Sequence, residues 1–220
     1  MGQIMHRVCA IVCCSVGYLL AFYYVTSTAQ VAWRQTQYAL QQPNVSSITL
    51  DGGELRIGSV EMGAKALSFS KLGTALRIAL PPGLPINQAQ RIAIRYAGKP
   101  SSGLRFDRET LQVSTAFSTS QWMPCLDDPA VRTPLQMTLR LPTGLVSVAN
   151  GVPDVPQAQP DGKVHHVWNM EQAMPSYLYG FAAGKFAVAE QAVESATLKH
   201  YGPSSLFDTA KLQQVFADSA

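Results

Sequence analysis

Two adjacent carboxylates, Asp127 and Asp128, follow Cys125 in the proline-bounded stretch "QWMPCLDDPAVRTPLQMTLRLP". Paired carboxylates can do acid–base work and a thiol can attack a carbonyl, but each chemistry requires a particular placement. Successive side chains of an extended segment diverge, so Asp127 and Asp128 cannot face one another across a substrate. Carboxylates in a turn before Pro129 instead accept backbone N–H groups. Cys125 lies between Pro124 and Leu126, with no Lys, Arg or His beside it in sequence to lower its pKa. That is the setting of a buried structural thiol rather than a nucleophile. Pro124, Cys125, Asp127, Asp128 and Pro129 are therefore expected to form a structural corner.

The remaining reactive types are scattered. His165 and His166 are neighbours in an extended run, so they point to opposite faces and cannot share one ion, and His200 is far away in sequence. No H-E-x-x-H occurs, and no cluster has zinc-ligand spacing, so no metal is expected in this chain. The hydroxyl run "STAFSTS" lacks a G-x-S-x-G turn. Trp122, Trp168, Tyr177 and Tyr179 could stack on a sugar, although aromatic residues in strands more commonly fill a core or an interface. The net charge is only +3 and no Lys/Arg cluster occurs, which excludes nucleic-acid binding.

Strands must position these residues. "LQMTLRL" sets Leu135, Met137, Leu139 and Leu141 on one face and Gln136, Thr138 and Arg140 on the other. "RIAIRY" does the same with Ile92, Ile94 and Tyr96. "SITL" and "ELRIGSV" flank Asp51-Gly52-Gly53, which reads as a hairpin turn. "ALSFS", "ALRIAL", "GLVSVANG", "KVHHVWNM" and "YLYGFAAGKFAVAE" supply further strands, with turn residues between them. The expected fold is mainly β, an antiparallel two-layer sandwich. At the end, "SLFDTAKLQQVF" predicts a short helix with Ser205 as N-cap and Leu212, Val215 and Phe216 on one face.

The chain has 220 residues, 47% of them hydrophobic and only 14% charged, enough for one sizeable folded domain. Part of the apolar excess is N-terminal. His6 and Arg7 precede a nearly uncharged run from Val8 to Val25, and Ser27 and Ala29 then offer the small-x-small spacing of a signal-peptidase site. Residues 1–29 thus read as a helical apolar segment, either a cleaved export signal or a signal anchor, since the run approaches the roughly 20 residues of a membrane span. The location implied is periplasmic or extracellular, or membrane-anchored if the segment is uncleaved. Cys9, Cys13 and Cys14 all lie within it; beyond it Cys125 stands alone, so no internal disulfide is expected. Residues 30–45 read as a polar linker with one edge strand around Gln37 to Leu40.

Taken in order, Met123-Pro124-Cys125-Leu126-Asp127-Asp128-Pro129, Ala149-Asn150-Gly151 and the run from Met174 through Phe186 carry a resemblance. They match F-P-C-x-D-E-P, S-N-G and M-x-x-Y-L-x-x-F-x-x-G-x-F of the N-terminal β domain of the zinc aminopeptidases typified by aminopeptidase N and leukotriene hydrolase. "ITLDGGELRIGSV" is similar to the family's L-x-x-x-x-L-x-I-x-x-V hairpin, and the likeness runs from about residue 46 to 205.

The resemblance implies a saddle-like β domain over residues 46–203, residues 204–220 as the start of a truncated helical or catalytic region, and a corner that serves as scaffold. Zinc would belong to the full-length family, and the implied partners are a separate catalytic zinc domain or a peptide. Two departures matter. The family places an acidic residue or Gln ten positions before the corner cysteine to bind the substrate amino group; that position here is Thr115, which has no charge to hold an ammonium. The exopeptidase motif G-x-M-E-N and the zinc-binding helix are also absent. Peptide hydrolysis needs the metal and its activated water, so no catalytic residue is expected here. The alternative is a non-catalytic interaction module, exported or membrane-anchored.

Overall fold

The computed structural model describes residues 9–16, 30–39, 44–107, 112–115, 117–193 and 196–217, with 9–16 and 30–39 described through their strand pairing alone. The first strands are β1 (Cys9–Val16), β2 (Gln30–Ala39), β3 (Ser47–Asp51), β4 (Arg56–Met62), β5 (Lys65–Ala66) and β6 (Phe69–Leu72). Then come β7 (Ala75–Ala79), β8 (Ala89–Gly98), β9 (Leu104–Asp107), β10 (Gln112–Thr115), β11 (Arg132–Pro142) and β12 (Val146–Ala149). The last are β13 (Val152–Pro153), β14 (Gln157–Ala158), β15 (Lys163–Pro175), β16 (Phe181–Gly184), β17 (Phe186–Val193) and β18 (Ala196–Pro203), and a helix α1 (Thr209–Val215) follows.

These strands form four sheets. The largest runs β13-β15-β11-β1-β2-β8-β4-β5, with β14 also on β15; the others are β12-β16-β10-β9, β3-β7-β6 and the hairpin β17-β18. The mainly β, antiparallel expectation holds, with one parallel pair, β1 on β11. Along β11 the burial alternates as its sequence requires, and Leu135, Met137, Leu139 and Leu141 are all at most 2% exposed. Their partners on β15 are Met170, Trp168, His166 and Val164. Ile92, Ile94 and Tyr96 of β8 and Leu76 and Ile78 of β7 are buried in the same core, so one apolar interior is shared between sheets.

Three expectations change. "SITL" and "ELRIGSV" are not a hairpin: β3 pairs with β7, while β4 pairs with β8 and β5. Gly52 and Gly53 therefore carry the chain from one sheet to another. The stretch read as a linker carries β2, paired with β8 from Gln30↔Gly98 to Ala39↔Ala89. Its polar residues hid a period-2 strand that tertiary pairing supplies. Within the apolar N-terminal segment, Cys9–Val16 is a strand where a helix was expected, because a short apolar run fits either element and neighbours decide. The rest of that segment, with Arg7, Ser27 and Ala29, lies outside the described residues. No helix among the described residues is long and apolar enough to cross a membrane.

The C-terminal helix starts later than its sequence suggested. Asp208, not Ser205, is the N-cap, and its Oδ1 accepts from Lys211 N at 2.7 Å. Residues before it close a turn in which Leu206 N and Phe207 N both donate to the Pro203 carbonyl. The helix packs on β17 and β18. Leu212 is 1% exposed, and Gly202 leaves it room, since a Cβ there would lie 2.8 Å from Leu212 Cδ2. Phe216 stacks on His200 with ring centroids 4.4 Å apart, while Val215 stays exposed.

The buried face of β11 predicts that Leu139→Asp abolishes cooperative unfolding. An unpaired carboxylate buried at this point costs several kcal/mol against a total stability of about 5–15 kcal/mol. Leu72→Ser, on a side chain 86% exposed, should leave the melting temperature within a degree or two of wild type. Circular dichroism melting of the two variants checks both.

Candidate functional site

The corner begins with a 3-10 turn at Thr119–Gln121, which delivers Trp122 and Met123 into the core at 6% and 0% exposure. Trp122 meets the edge of Phe181, with centroids 5.7 Å apart. Cys125 then pairs with Asp51 across an isolated antiparallel bridge. Asp51 N donates to the Cys125 carbonyl at 2.7 Å and Cys125 N to the Asp51 carbonyl at 2.8 Å. The Asp51 carboxylate accepts from Asp127 N at 3.2 Å. Gly53 has φ +43° and lies so close to the corner that a Cβ would sit 2.8 Å from Gln121 Cα. Only glycine fits there, on both counts.

Asp127 and Asp128 do separate things, as their extended spacing required. Asp128 Oδ1 accepts from Ala130 N at 2.8 Å, and the Asp128 carbonyl accepts from Val131 N. Asp127 Oδ1 accepts from the Ser176 hydroxyl at 3.2 Å, which also lies 3.0 Å from the Leu126 carbonyl. Thr119, fully buried, donates its hydroxyl to the Ser176 carbonyl at 2.7 Å. Both carboxylates are spent on backbone and turn contacts, and the Cys125 thiol is buried. Pro124 to Pro129 thus ties the end of β3 and the Ser176 turn to the approach of β11.

A second turn, Ser176–Leu178, faces the first. Beyond it the Tyr179 hydroxyl, in a side chain 2% exposed, bonds the Thr133 hydroxyl and donates to the Thr133 carbonyl at 3.2 Å. Asn150 Oδ1 accepts from Gly180 N at 2.7 Å. Gly151, at φ +94°, lies against the Asn169 carbonyl where a Cβ would collide. The Ala149-Asn150-Gly151 turn and the Tyr179-Gly180 segment are thus one joint. Ser176, Thr119 and Asp51 went unnoticed in the sequence, because a lone hydroxyl or turn aspartate carries no periodic signal.

Thr115 ends β10 beside this joint. Its Oγ1 accepts from Phe181 N at 2.8 Å, and Gly180 lies against it. The hydroxyl is therefore committed to the backbone of β16. Next to it Phe117 and Ser118 both adopt left-handed conformations, φ +53° and +48°, rare for non-glycine residues and a mark of locally constrained backbone. Phe117 is 72% exposed; Tyr177 and Leu178 are exposed on the facing turn.

The aromatic platform does not assemble. Trp122, Trp168 and Tyr179 are buried, and Trp168 Nε1 donates to Ser147 Oγ at 3.1 Å, which leaves Tyr177 alone at the surface. The histidines also stay apart. His165 pairs with Arg140 and His166 with Leu139, placing them on opposite faces of β15, and His200 stacks on Phe216 in the separate hairpin. Among the described residues no group of His, Cys, Asp and Glu is placed to hold a metal ion. Burial lowers the pKa of His166, whose Nε2 finds no hydrogen-bond partner among the described residues. His165 is lowered too, by desolvation and then by the Arg140 guanidinium.

Comparison with known proteins bears on this joint. The sequence profile of the Peptidase M1 N-terminal domain matches residues 34–178. The chain is 24% identical over 181 residues to leucine aminopeptidase 2 of Aspergillus oryzae, covering 73% of this chain and 29% of that protein. It is 26% identical over 132 residues to human aminopeptidase RNPEPL1, covering 56% of this chain and 18% of that one. A crystal structure of an M1 zinc metallopeptidase from Deinococcus radiodurans superposes over 87% of this chain and 45% of its own, with TM-score 0.66 and 15% identity. The chain thus spans less than a third of the curated relatives it matches.

Two outcomes follow. Thr119→Val removes one of two donors to the Ser176 carbonyl, leaving Tyr179 N at 2.9 Å, and should cost about 0.5–1.5 kcal/mol, read as a lower urea midpoint at unchanged m-value. The second concerns pH. A histidine whose folded pKa lies below its ordinary 6.5 binds a proton more readily when unfolded. Its stabilising contribution is complete above that value and is lost as pH falls below it. The melting temperature should therefore drop more between pH 7.5 and 5.5 in wild type than in His166→Gln; equal drops would remove His166 as the cause.

Proposed function

Because the chain belongs to the Peptidase M1 N-terminal domain family, matched over residues 34–178, we propose that it acts as the non-catalytic covering domain of a zinc aminopeptidase-like assembly. The metal and the hydrolytic groups come from outside this chain. The observation that carries the reading is the fate of Thr115. A site that recognises a free amino group needs a negative charge or an unengaged acceptor aimed at it. Here a neutral hydroxyl occupies the place, accepting from Phe181 N and donating toward the Phe181 carbonyl. Its corner residues are equally committed, so the domain offers shape and support and no chemistry.

Zinc would have to be held elsewhere, since His165, His166 and His200 diverge and Cys125 is buried in the corner. Metal-assisted hydrolysis needs three protein ligands and an open position for water, and these donors do not fit that requirement. What this chain supplies to an assembly is the exposed edge of the joint, where Phe117, Tyr177 and Leu178 surround a constrained turn. That edge suits contact with a catalytic zinc domain or with bound peptide. We place the covering domain at residues 46–203, in the saddle-like form the resemblance implies. The apolar run from Val8 to Val25 behind Arg7 supports export or membrane anchoring by residues 1–29.

The second reading, a self-contained interaction module, is favoured by α1. Its main apolar residue, Leu212, is already buried on the chain's own hairpin rather than awaiting a further domain.

Tagging the chain at its natural locus separates the two. Co-purification of a zinc-bearing polypeptide that hydrolyses aminoacyl-anilides supports the covering domain; recovery with a partner lacking zinc favours the module. Purified alone with added zinc, the chain should release no anilide. Elemental analysis giving about one zinc per chain, lost in His165→Ala or His200→Ala, would overturn both readings.

A further inference from the structure

Strand β1 joins the two halves of the large sheet in an unusual way. Cys9 to Cys13 pair with Ala39 to Gln35 of β2, while Val12 to Val16 pair with Leu135 to Leu139 of β11. Only Val12 and Cys13 have partners on both sides, so β1 works as a splint, its first half on one wall and its second half on the other. Both walls are held independently of it. β2 is paired along its whole length with β8, and β11 with β15. Ile92 and Ile94 behind β2 share one core with Met137 and Leu139 of β11.

We propose that the space between β2 and β11 is a strand-accepting site, and that Cys9–Val16 is its resident but exchangeable occupant. The ligand class is an extended, uncharged apolar peptide of about eight residues, running parallel to β11 and antiparallel to β2. Three observations carry this. The β1–β11 pair is the one parallel pairing among the described strands, and parallel ladders bind slightly less strongly per residue. It covers five residues on each wall, against ten on the far side of β2. If β1 leaves, the Leu135–Leu139 edge exposes backbone N–H and C=O groups beside a buried core, and these must be paired again.

The occupant belongs to the same apolar segment whose composition suits export or anchoring. One stretch of chain cannot lie in a bilayer or be cut away and also pair with β2 and β11. The two uses compete, so occupancy of the site reports the fate of the N-terminus. The occupant and β2 belong to one chain, so a cut between them should make the occupant replaceable.

The test uses the full chain with a specific protease site placed within residues 17–29. After cleavage, the N-terminal fragment should stay with the remainder on gel filtration. An excess of labelled peptide spanning residues 8–17, carrying Cys9→Ser, Cys13→Ser and Cys14→Ser, should then displace it saturably. The same peptide with Val12→Pro, which removes a donor at a position paired on both sides, should compete at least about tenfold less well. Hydrogen exchange should show protection at Leu135–Leu139 lost with the fragment and restored by the peptide. Dissociation of the fragment with that protection unchanged would overturn the proposal, as would a retained fragment that the peptide never displaces. If cleavage precipitates the remainder, peptide present beforehand should keep it soluble, and failure to do so counts against the site.

Discussion

The bridge between Asp51 and Cys125 is the constraint on which the joint depends. Two backbone hydrogen bonds, at 2.7 and 2.8 Å, fasten the last residue of β3 to the corner that feeds β11. They close the outer edge of a three-stranded sheet that would otherwise end open. They also fix where Gly53 meets Gln121, and so where the chain crosses from β3 to β4. Lys71 of β6 reinforces that crossing by donating to the Leu55 carbonyl at 2.7 Å, with its pKa lowered mainly by burial. A cysteine suits this position because it is small and apolar enough to be buried beside a paired backbone. Of the adjacent aspartates, Asp128 accepts from Ala130 N in its own turn and Asp127 from the Ser176 hydroxyl of the second turn.

From the corner outward, order passes through hydroxyls rather than charges. Thr119 bonds Ser176, Ser176 bonds Leu126 and Asp127, and Tyr179 bonds Thr133. Apart from the bond to the exposed Asp127 carboxylate, these are neutral hydrogen bonds, which avoid the desolvation cost that buried ion pairs must recover. Both ion pairs given by the structure, Arg140–Asp161 and Lys199–Glu190, lie toward the surface. Thr115 stands apart from these hydroxyls, its own bonded to the backbone of Phe181. The Thr115 hydroxyl meets the Phe181 N–H as a neutral acceptor, which ties the end of β10 to β16.

Strands with strict alternation were legible in the sequence. β11 could be assigned to a face residue by residue, because period-2 burial depends only on local pattern, whereas in β8 Ala93 is buried between Ile92 and Ile94. Partners were not legible. Gly52-Gly53 looks like a hairpin turn in sequence, yet it is a crossover, since the same positive-φ glycine serves either and only the fit against Gln121 decides. The sequence reading of the corner rested on the divergence of Asp127 and Asp128, and it could not include Asp51 and Ser176, which are 49 or more residues away along the chain. The cap of α1 slipped from Ser205 to Asp208 because Pro203 first draws Leu206 and Phe207 into a turn.

The N-terminal segment shows how one sequence property can serve incompatible ends. An uncharged apolar run satisfies a bilayer, an export channel or the gap between two strands, since each removes apolar surface from water. What distinguishes them is the backbone. In a bilayer the segment must bond to itself as a helix, whereas between β2 and β11 it must lend its N–H and C=O groups to both neighbours. Hydropathy is blind to that difference, and so a helix was expected where the sheet holds a strand. Cys9–Val16 pairs in register with Leu135 to Leu139, of which Leu135, Met137 and Leu139 are at most 2% exposed. The same apolar composition thus answers to either use, and backbone pairing rather than hydropathy decides between them.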